Sequence, residues 1–276
     1  MIYIHWIVLV AYTVIAILAM ITVLMEHRQP AKTIAWVLVL SFLPLVGIIL
    51  YFFFGRRTRK NRNIWQKSLD QLTKRSMIEF AEQKQLELST DYQRLIQLFM
   101  NQNLALPFKN NTAEVYVSGY DFFPALFATI SKAKHHIHIV SYIIDDDPLG
   151  RLLRDTLIDK ARKGVEIRFL FDDVGSWKTK NKFFEQMREE GIEIHPFMPV
   201  RFPAFTGKVN YRNHRKIIVI DGKVGFIGGM NFAQRYIKGN KNVKWRDTHI
   251  KINGPAVYGL QRAFLIDWFY ADRTII

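Results

Sequence analysis

Residues 214–221 read HRKIIVID, and residues 228–231 read GGMN. A histidine and a lysine thus stand two positions apart, an aspartate follows after four apolar residues, and a Gly-Gly-x-Asn group comes six residues later. Arg215 to Ile220 and Val224 to Ile227 predict two strands, because Asp221-Gly222 between them is a typical two-residue hairpin turn. The stretch therefore predicts a β-hairpin with chemically reactive side chains at its start.

Two of these side chains are predicted to point the same way. On a strand, residues two apart lie on one face, so the His214 imidazole and the Lys216 ammonium can meet the same ligand. Asp221 has the opposite parity and opens the turn. We count all three as candidate catalytic residues. We expect Asp221 to orient or brace the others rather than contact substrate, and a purely structural role for it fits the pattern equally well.

A phosphodiester is the ligand that suits this set of side chains. Its negative charge repels nucleophiles, and Lys216 can neutralise that charge without a metal ion. A neutral His214 can attack phosphorus, or in its protonated form it can give a proton to a leaving alkoxide. Asn231 and the backbone N–H groups around Gly228 and Gly229 are the candidate substrate-binding donors. The pattern calls for no metal and no cofactor.

The positive charge of the chain is concentrated in two places. Lys and Arg number 39 and Asp and Glu 24, which gives a net charge of +15. Residues 201–246 contain eleven basic residues and one acid, and residues 56–67 contain six basic residues and no acid. Because these two patches account for the net charge, each is predicted to bind anions such as phosphates or a membrane surface.

Other residues offer weaker signals for a metal or thiol site. The chain has no cysteine, which excludes disulfides, thiol catalysis and cysteine-based zinc sites. His135, His136 and His138 form the densest histidine cluster, but no third ligand follows at a metal-binding spacing. A structural or surface role is expected for them.

Acidic residues follow two of the predicted strands. Asp147 before Pro148 is typical of a helix N-cap with proline in the first turn. Asp145-Asp146 and Asp172-Asp173 either line the rim of a pocket, as ligand sites at the carboxyl ends of strands do, or belong to ordinary loops.

The amino-terminal region contains two long charge-free stretches. Residues 6–25 number twenty and residues 33–54 number twenty-two, and ~20 helical residues span the ~30 Å hydrocarbon core of a bilayer. Because the link between them is short, the helices are expected to be antiparallel. We predict a transmembrane hairpin over residues 1–55, with helices at about 4–25 and 33–54. Two buried helices of a soluble core are the alternative, but such helices rarely lack every charge.

The remaining chain is predicted to form two further parts. Residues 56–106 predict a basic juxtamembrane segment and a helical connector, which the positive-inside rule places in the cytoplasm. Residues 107–276 predict an α/β domain with a mixed, mainly parallel sheet flanked by helices, because strands and helices alternate. Its predicted strands, besides the hairpin, are Glu114 to Val117, His136 to Ile144, Val165 to Phe171, Ile192 to Phe197 and Thr248 to Ile252. Its predicted helices are Asp121 to Lys134, Pro148 to Lys163, Lys178 to Glu190 and Pro255 to Tyr270.

The motif and its surroundings resemble a known family. The spacing H-x-K, four residues, D, six residues, G-G-x-N is similar to the signature of the phospholipase D superfamily, which usually has Ser where Gly229 stands. Together with the charge-free hairpin, the wider sequence resembles the amino-terminal part of bacterial cardiolipin synthases. The further segments that carry this resemblance are Pro44 and Gly47 in the second charge-free stretch, Tyr142-Ile143-Ile144, Asp172-Asp173-Val174-Gly175-Ser176, Asn210-Tyr211-Arg212-Asn213 and Trp245-Arg246-Asp247-Thr248-His249.

That resemblance implies a phospholipase D-like fold and a phosphatidyltransferase in the bacterial cell membrane, with its catalytic domain in the cytoplasm and no cofactor. It implies a phosphohistidine intermediate: one phosphatidylglycerol leaves its phosphatidyl group on histidine and releases glycerol, and a second phosphatidylglycerol accepts the group to give cardiolipin. Phosphatidylglycerol and anionic membrane lipid are the implied partners. A polynucleotide suits the membrane hairpin less well than a lipid does.

The chain departs from the family pattern in one main respect. The family mechanism uses two such motifs, and this sequence has one. We expect the second motif from a missing C-terminal half or from a homodimer partner, as in single-motif members of the superfamily. Gln234 and Arg235 stand where acidic residues are expected, which affects glycerol recognition. The alternatives left open are a homodimeric phosphodiesterase or nuclease and an inactive membrane-bound fragment.

Overall fold

The computed structural model describes residues 2–25, 30–51, 92–103, 107–199, 212–239, 245–274 and 276. The predicted basic segment 56–67 and residues Asn210 and Tyr211 lie outside this described part. The helices are α1 (Ile2–Met25), α2 (Pro30–Phe42), α3 (Pro44–Leu50), α4 (Gln93–Asn103), α5 (Gly119–Ile130), α6 (Pro148–Arg162), α7 (Asn181–Glu189), α8 (Arg235–Lys238) and α9 (Val257–Asp272). The strands are β1 (Thr112–Tyr116), β2 (His136–Ser141), β3 (Glu166–Asp172), β4 (Glu193–Phe197), β5 (Ile217–Ile220), β6 (Val224–Gly228) and β7 (His249–Asn253). Helices α1 to α3 belong to one compact unit, and the elements from α4 onward belong to another.

The first unit is held together by a small apolar cluster. Val23 of α1 and Leu40 of α2 are buried together with Tyr51, which follows α3. The Trp36 and Tyr51 rings meet edge to face, with their centroids 5.5 Å apart. These contacts pack the three helices against one another.

The prediction of one continuous helix over residues 33–54 is wrong. α2 ends at Phe42 and α3 begins at Pro44. Proline has no backbone N–H and its ring clashes with the preceding turn, so it starts a helix more readily than it continues one. Within the described residues, no helix combines the length and the apolarity needed to cross a membrane. The transmembrane hairpin therefore stays a prediction.

A mixed sheet forms the centre of the second unit. The strands described there lie in the order β1-β7-β6-β5-β2-β3-β4. β2, β3 and β4 run parallel, with α6 and α7 as their crossovers, which confirms that part of the prediction. The other four neighbouring pairs are antiparallel, so the prediction of a mainly parallel sheet is wrong. β5 enters the sheet antiparallel to β2, and the hairpin then returns β6 antiparallel to β5. β7 and β1 continue the alternation of direction.

Helices cover both faces of this sheet. Ile218 and Ile220 of β5 enter a core with α5, α6 and α7, whereas Ile217 and Val219 pack on the other face with α9. On that second face Trp268 of α9 is fully buried. A strand that is buried on both faces has no polar side, which explains why β5 is an uninterrupted apolar run.

The turn of the β5–β6 hairpin has the positive φ angles that Asp221-Gly222 predicts, 53° and 63°, as in a type I′ turn, and the N–H of Lys223 donates to the Ile220 oxygen at 3.0 Å. The prediction of a two-residue connection is wrong by one residue, because Ile220 pairs with Val224 and three residues link the strands. The Asp221 carboxylate accepts hydrogen bonds from the backbone N–H groups of Lys134, His135 and His136 at 2.9, 2.8 and 3.0 Å. The turn is thereby tied to the start of β2. Burial alone would raise the pKa of Asp221, but the backbone N–H donors outweigh it and lower that pKa.

The predicted helix cap at Asp147 is confirmed. Its carboxylate accepts hydrogen bonds from the N–H groups of Leu149 and Gly150, both at 3.0 Å, and Pro148 occupies the first turn of α6. The cap satisfies backbone donors that have no partner inside the helix. Asp147 therefore has a structural role at the start of α6.

Replacing Asp221 with Asn should destabilise the second unit. The new NH₂ group would face one of the three N–H donors, and the charge that strengthens the other bonds would be lost. We expect the free energy of unfolding to fall by about 1–3 kcal/mol, measured by denaturant titration of the detergent-solubilised chain near pH 7. The difference should shrink as the pH falls below about 4, where the unfolded chain begins to protonate Asp221, and it should vanish once the pH passes the lower pKa of the folded state.

Asp159→Asn is the matched control, because Asp159 is exposed and forms an ion pair with Lys163 on the same helix. It should leave the unfolding midpoint close to that of the wild type, because an exposed ion pair adds little to stability. Equal unfolding midpoints for Asp221→Asn and the wild type would contradict the bracing role.

Candidate active site

His214 lies in an irregular segment that leads into β5. Residues 212–216 belong to neither a helix nor a strand, and His214 is exposed. Its ring stacks on the ring of Tyr142, with centroids 3.8 Å apart and an angle of 21° between the planes. Tyr142 directly follows β2. The ring that contacts the imidazole is therefore positioned by the end of a central strand. The imidazole is therefore accessible but supported on one face.

Lys216 contacts the same aromatic ring. Its Nζ lies 5.3 Å from the centroid of Tyr142, which is within the range of a cation–π interaction. The same Nζ donates a hydrogen bond to the backbone oxygen of His214 at 2.6 Å. Burial lowers the pKa of Lys216, and the charge of Asp247 opposes that effect. The structure places both side chains against the Tyr142 ring. The prediction that strand alternation brings them together is wrong, because β5 begins only at Ile217.

Asp247 occupies the space beside Gly229. A Cβ atom added to Gly229 would lie 1.9 Å from Oδ1 of Asp247, so the carboxylate fills the position that a side chain there would need. The N–H of Thr248 donates to Asp247 Oδ1 at 2.7 Å and fixes it. Asp247 belongs to one of the segments that carry the family resemblance, and no role was predicted for it from the sequence. The small residue at position 229 therefore makes room for a carboxylate close to Lys216.

The predicted backbone donors of Gly228 and Gly229 are already used within the protein. The N–H of Gly228 donates to the backbone oxygen of Lys216 at 3.3 Å, and the N–H of Gly229 donates to that of Thr248 at 2.8 Å. A Cβ atom on Gly228 would lie 2.4 Å from the Thr248 oxygen. These contacts correct the prediction that both N–H groups are free for substrate. Because glycine has no Cβ atom, the end of β6 can lie directly against residues 247–249 at the start of β7.

Asn231 is also engaged by the protein. It is buried, its Oδ1 accepts from the N–H of Ile143 at 3.0 Å, and its Nδ2 donates to the hydroxyl of Tyr236. A side-chain amide has two N–H donors, so one N–H remains after the bond to Tyr236. The contact with Ile143 also fixes the chain next to Tyr142. The predicted role of Asn231 as a phosphate donor therefore rests on a single N–H.

Asp221 is not near His214 and Lys216. It follows the last residue of β5, whereas His214 and Lys216 precede the first. Its carboxylate is bound to backbone groups at the start of β2, and the His214 ring lies beyond the end of β2. The expectation that Asp221 braces the fold is supported by this geometry, and direct contact with substrate is not.

The other predicted clusters lie apart from this site or serve the fold. His136 and His138 have ring centroids 4.6 Å apart on β2, and among the described residues no group of three or more possible ligands is placed to hold a metal ion. Asp145 forms an ion pair with Arg235 at 2.8 Å. Asp172, by contrast, accepts a hydrogen bond from the N–H of Asn213 at 3.1 Å. Asp172 therefore belongs to the surroundings of His214.

Two buried histidines are held neutral. Burial, together with the nearby charge of Lys216, lowers the pKa of His249 to about 3. Burial lowers the pKa of His138 to about 3 as well, and His136 adds to the effect. The His249 ring stacks on Phe122 with centroids 4.0 Å apart. The His249 ring next to Lys216 therefore adds no second positive charge near neutral pH.

Two parts of the chain match known families. Residues 126–268, just over half of the chain, match the family described as "Cardiolipin synthase, PLD-like domain". Residues 14–56 match the family described as "Phospholipase_D-nuclease N-terminal". The chain belongs to the phospholipase D-like cardiolipin synthase family. The first match includes His214, Lys216 and Asp247, and it confirms the family resemblance of the sequence.

Curated relatives of the cardiolipin synthase family are similar along most of this chain. It is 40% identical over 259 residues to the cardiolipin synthase of Geobacillus sp. (strain WCH70), an alignment that covers 91% of this chain and 51% of that protein. It is 39% identical over 267 residues to the major cardiolipin synthase ClsA of Bacillus subtilis (strain 168), with 93% of this chain and 55% of that protein covered. The chain spans about half the length of the curated relatives it matches.

A solved structure with low sequence identity also resembles part of the chain. The phospholipase D family member Nuc from Salmonella typhimurium is 18% identical, with a TM-score of 0.45. The match covers 59% of this chain and 97% of that one.

The buried His249 should make stability depend on pH. Its folded pKa of about 3 lies below the ordinary value of 6.5, so the unfolded chain binds a proton that the folded chain does not. The free energy of unfolding should therefore fall as the pH is lowered from about 6.5 towards 3, by up to about 1.4 kcal/mol per pH unit for this group. His249→Phe should remove that share of the slope between about pH 6 and pH 4, measured by denaturant titration.

In the described structure neither ring nitrogen of His249 has a hydrogen-bond partner, so Phe sacrifices no bond. His135→Gln, at an exposed position, is the control and should keep the wild-type slope. Parallel pH curves for His249→Phe and the wild type would show that His249 titrates normally.

Proposed function

We propose that this chain is a phosphatidyltransferase of the bacterial cell membrane that makes cardiolipin and glycerol from two molecules of phosphatidylglycerol. His214 is the proposed nucleophile, and the reaction passes through a phosphohistidine. Lys216 neutralises the phosphate charge and Asn231 contributes one N–H donor. The proposal needs no metal and no cofactor.

The convergence of His214, Tyr142 and Lys216 is the observation that carries this proposal. An exposed imidazole rests on an aromatic ring, and the ammonium next to it is buried. A buried cation attracts an anion more strongly than an exposed one, because less water screens the charge. A phosphodiester placed over the His214 ring would meet both the nucleophile and the cation.

The proposed first step is attack of a neutral His214 ring nitrogen on the phosphorus of phosphatidylglycerol. The nitrogen–phosphorus bond forms as the bond from phosphorus to the glycerol oxygen breaks, and the leaving oxygen takes a proton from a general acid. In the second step the hydroxyl of another phosphatidylglycerol gives its proton to that group and attacks phosphorus. The nitrogen–phosphorus bond then breaks, and cardiolipin leaves with His214 restored.

The sequence has one histidine motif, and its histidine is the proposed nucleophile. The general acid must therefore come from another group. We propose that a second histidine motif provides it, either from further chain, as the length of the curated relatives suggests, or from a second copy of this chain. His249 is a poor substitute, since it is buried and its pKa is about 3. An acid with that pKa is unprotonated near neutral pH.

Membrane attachment is proposed for residues 1–55, as a multi-pass hairpin with residues 107–276 on the cytoplasmic side. The charge-free stretches and the exposed apolar side chains of α1 support it: Tyr3 is 83% exposed, Trp6 62% and Ile7 67%. Such a surface requires an apolar environment. The basic residues 56–67 would then lie at the head groups and attract anionic lipid.

Labelled phosphatidylglycerol incubated with membranes that contain the chain should give labelled cardiolipin on thin-layer chromatography. His214→Ala should lower the rate by about 10³-fold or more, because no other group can form the covalent intermediate. Lys216→Ala should lower it by about 10²-fold or more. His135→Ala, at an exposed position at the start of β2, is the control and should keep the wild-type rate.

Cardiolipin formation that survives in His214→Ala would rule out the proposed site. Hydrolysis of a nucleic acid or a simple phosphodiester without cardiolipin would favour a homodimeric phosphodiesterase. No turnover by any form would identify the chain as an inactive membrane-bound fragment. A rate per molecule that rises with the surface density of the chain would support pairing of two copies.

A further inference from the structure

The segment that carries His214 lacks the hydrogen-bond ladder of a strand. β5 begins at Ile217, so the backbone of residues 212–216 cannot rely on strand pairing to hold its shape. Asn213 is nevertheless buried, while the two residues that follow it, His214 and Arg215, are exposed. Some other set of groups must therefore fix the backbone under the imidazole.

Asn213 makes contacts in three directions. Its backbone N–H donates to Asp172 Oδ2 at 3.1 Å, its Nδ2 donates to Asp267 Oδ2 at 2.7 Å, and its Oδ1 accepts from the N–H of Arg215 at 3.1 Å. Asn213, directly before His214, is therefore fixed by both carboxylates, and Arg215, directly after it, is hydrogen-bonded to the Asn213 side chain. Rotation of the His214 peptide units would break at least one of these bonds.

Two buried carboxylates hold this arrangement. Asp172, at the end of β3, is 1% exposed, and its Oδ1 also accepts from the N–H groups of Val174 and Gly175. Asp267 of α9 is 4% exposed, and both of its oxygens accept from Nη1 of Arg215, at 2.8 and 3.0 Å. Burial raises the pKa of Asp267, while Arg215 and Asn213 oppose that effect. Such a buried carboxylate is costly unless it is paired, so its partners are held firmly.

The same network reaches the ring on which His214 rests. A Cβ atom on Gly175 would lie 2.2 Å from the backbone oxygen of Tyr142, so the loop after Asp172 packs directly against Tyr142. Ser176 accepts a hydrogen bond from the N–H of Ile144 at 3.1 Å. The backbone of His214 and the aromatic surface under its ring are therefore fixed by the end of one strand.

We propose that Asp267 is a positioning residue, which acts through Asn213 and Arg215 to hold the His214 ring against Tyr142. It reaches the site from α9, on a helix that otherwise covers the second face of the sheet. Asp267 does not contact substrate. The proposal rests on the proposed function only in that His214 is taken as the nucleophile, and the position of the ring can be measured without any activity.

The test measures the His214 ring directly in the full chain. The protein is labelled with ¹³C-histidine and reconstituted into lipid nanodiscs, and the His214 Cε1–H resonance is assigned by its loss in His214→Gln. The stacked Tyr142 ring should shift this resonance in the wild type. In Asp267→Ala the resonance should move towards the position of an unstacked histidine, and in Asp267→Asn, which keeps an oxygen acceptor for Asn213, it should move less.

The second measurement is the rate of cardiolipin formation from labelled phosphatidylglycerol. Asp267→Ala should lower kcat by about 10- to 100-fold, because a small misplacement of a reacting group has effects of this size. KM should stay within about two-fold, since Asp267 does not bind the lipid. The loss in the double variant Asp267→Ala/Asn213→Ala should be smaller than the product of the two single losses, because both changes break the hydrogen bond between Asn213 and Asp267.

Leu157→Ala is the control for general destabilisation. Leu157 is fully buried in the core with α5 to α7 and belongs to α6. It should lower stability but leave the His214 resonance and kcat unchanged. If Asp267→Ala does not fold, Asp267→Asn and Asn213→Ser supply the same two measurements.

The proposal is overturned if a folded Asp267→Ala keeps the wild-type His214 resonance, or if Leu157→Ala shifts that resonance equally. A wild type that forms no cardiolipin would refute the proposed function, while the resonance would still decide the positioning role.

Discussion

An irregular segment that carries an exposed imidazole must be held by side chains, because it lies outside the strand ladder. In this protein the constraint falls on residues 212–216, and Asp172 and Asp267 satisfy it from β3 and α9. An unsatisfied buried polar group costs about 1–3 kcal/mol, so the two carboxylates stabilise this loop shape by accepting hydrogen bonds from Asn213. The two-sided burial of the sheet is what brings the end of β3 and one face of α9 to the same loop.

The electrostatic character of the site follows from the same packing. Lys216 is buried beside the loop, while the His214 side chain stays exposed at the surface. His249, next to Lys216, is kept neutral by burial and by the lysine charge. Lys216 thus provides a cation of low solvent exposure with an accessible imidazole beside it. This arrangement suits an anionic substrate that must be neutralised before it can be attacked.

Sequence patterns predicted the local features of this protein well and its long-range contacts poorly. The β5–β6 hairpin, the crossovers β2 to β4 and the Asp147 cap follow from residue spacing and turn chemistry, and the structure confirms them. The direction of β5 beside β2 depends on which strands meet in space, so the mainly parallel sheet was wrong. The Gly228 and Gly229 N–H groups were assigned to substrate because their partners, Lys216 and Thr248, are not evident from the motif alone. Asp267 was missed for the same reason, since it is 52 residues or more from its partners Arg215 and Asn213.

The central claim is that His214 becomes covalently bound to phosphorus, and the most direct measurement is to trap that adduct. The chain in lipid membranes would be mixed with short-chain phosphatidylglycerol, stopped within the first turnovers at alkaline pH, digested and analysed by mass spectrometry. The account predicts a phosphatidyl mass increase on the peptide that contains His214, and none in His214→Ala. An adduct on a different residue, or one that persists in His214→Ala, would contradict it.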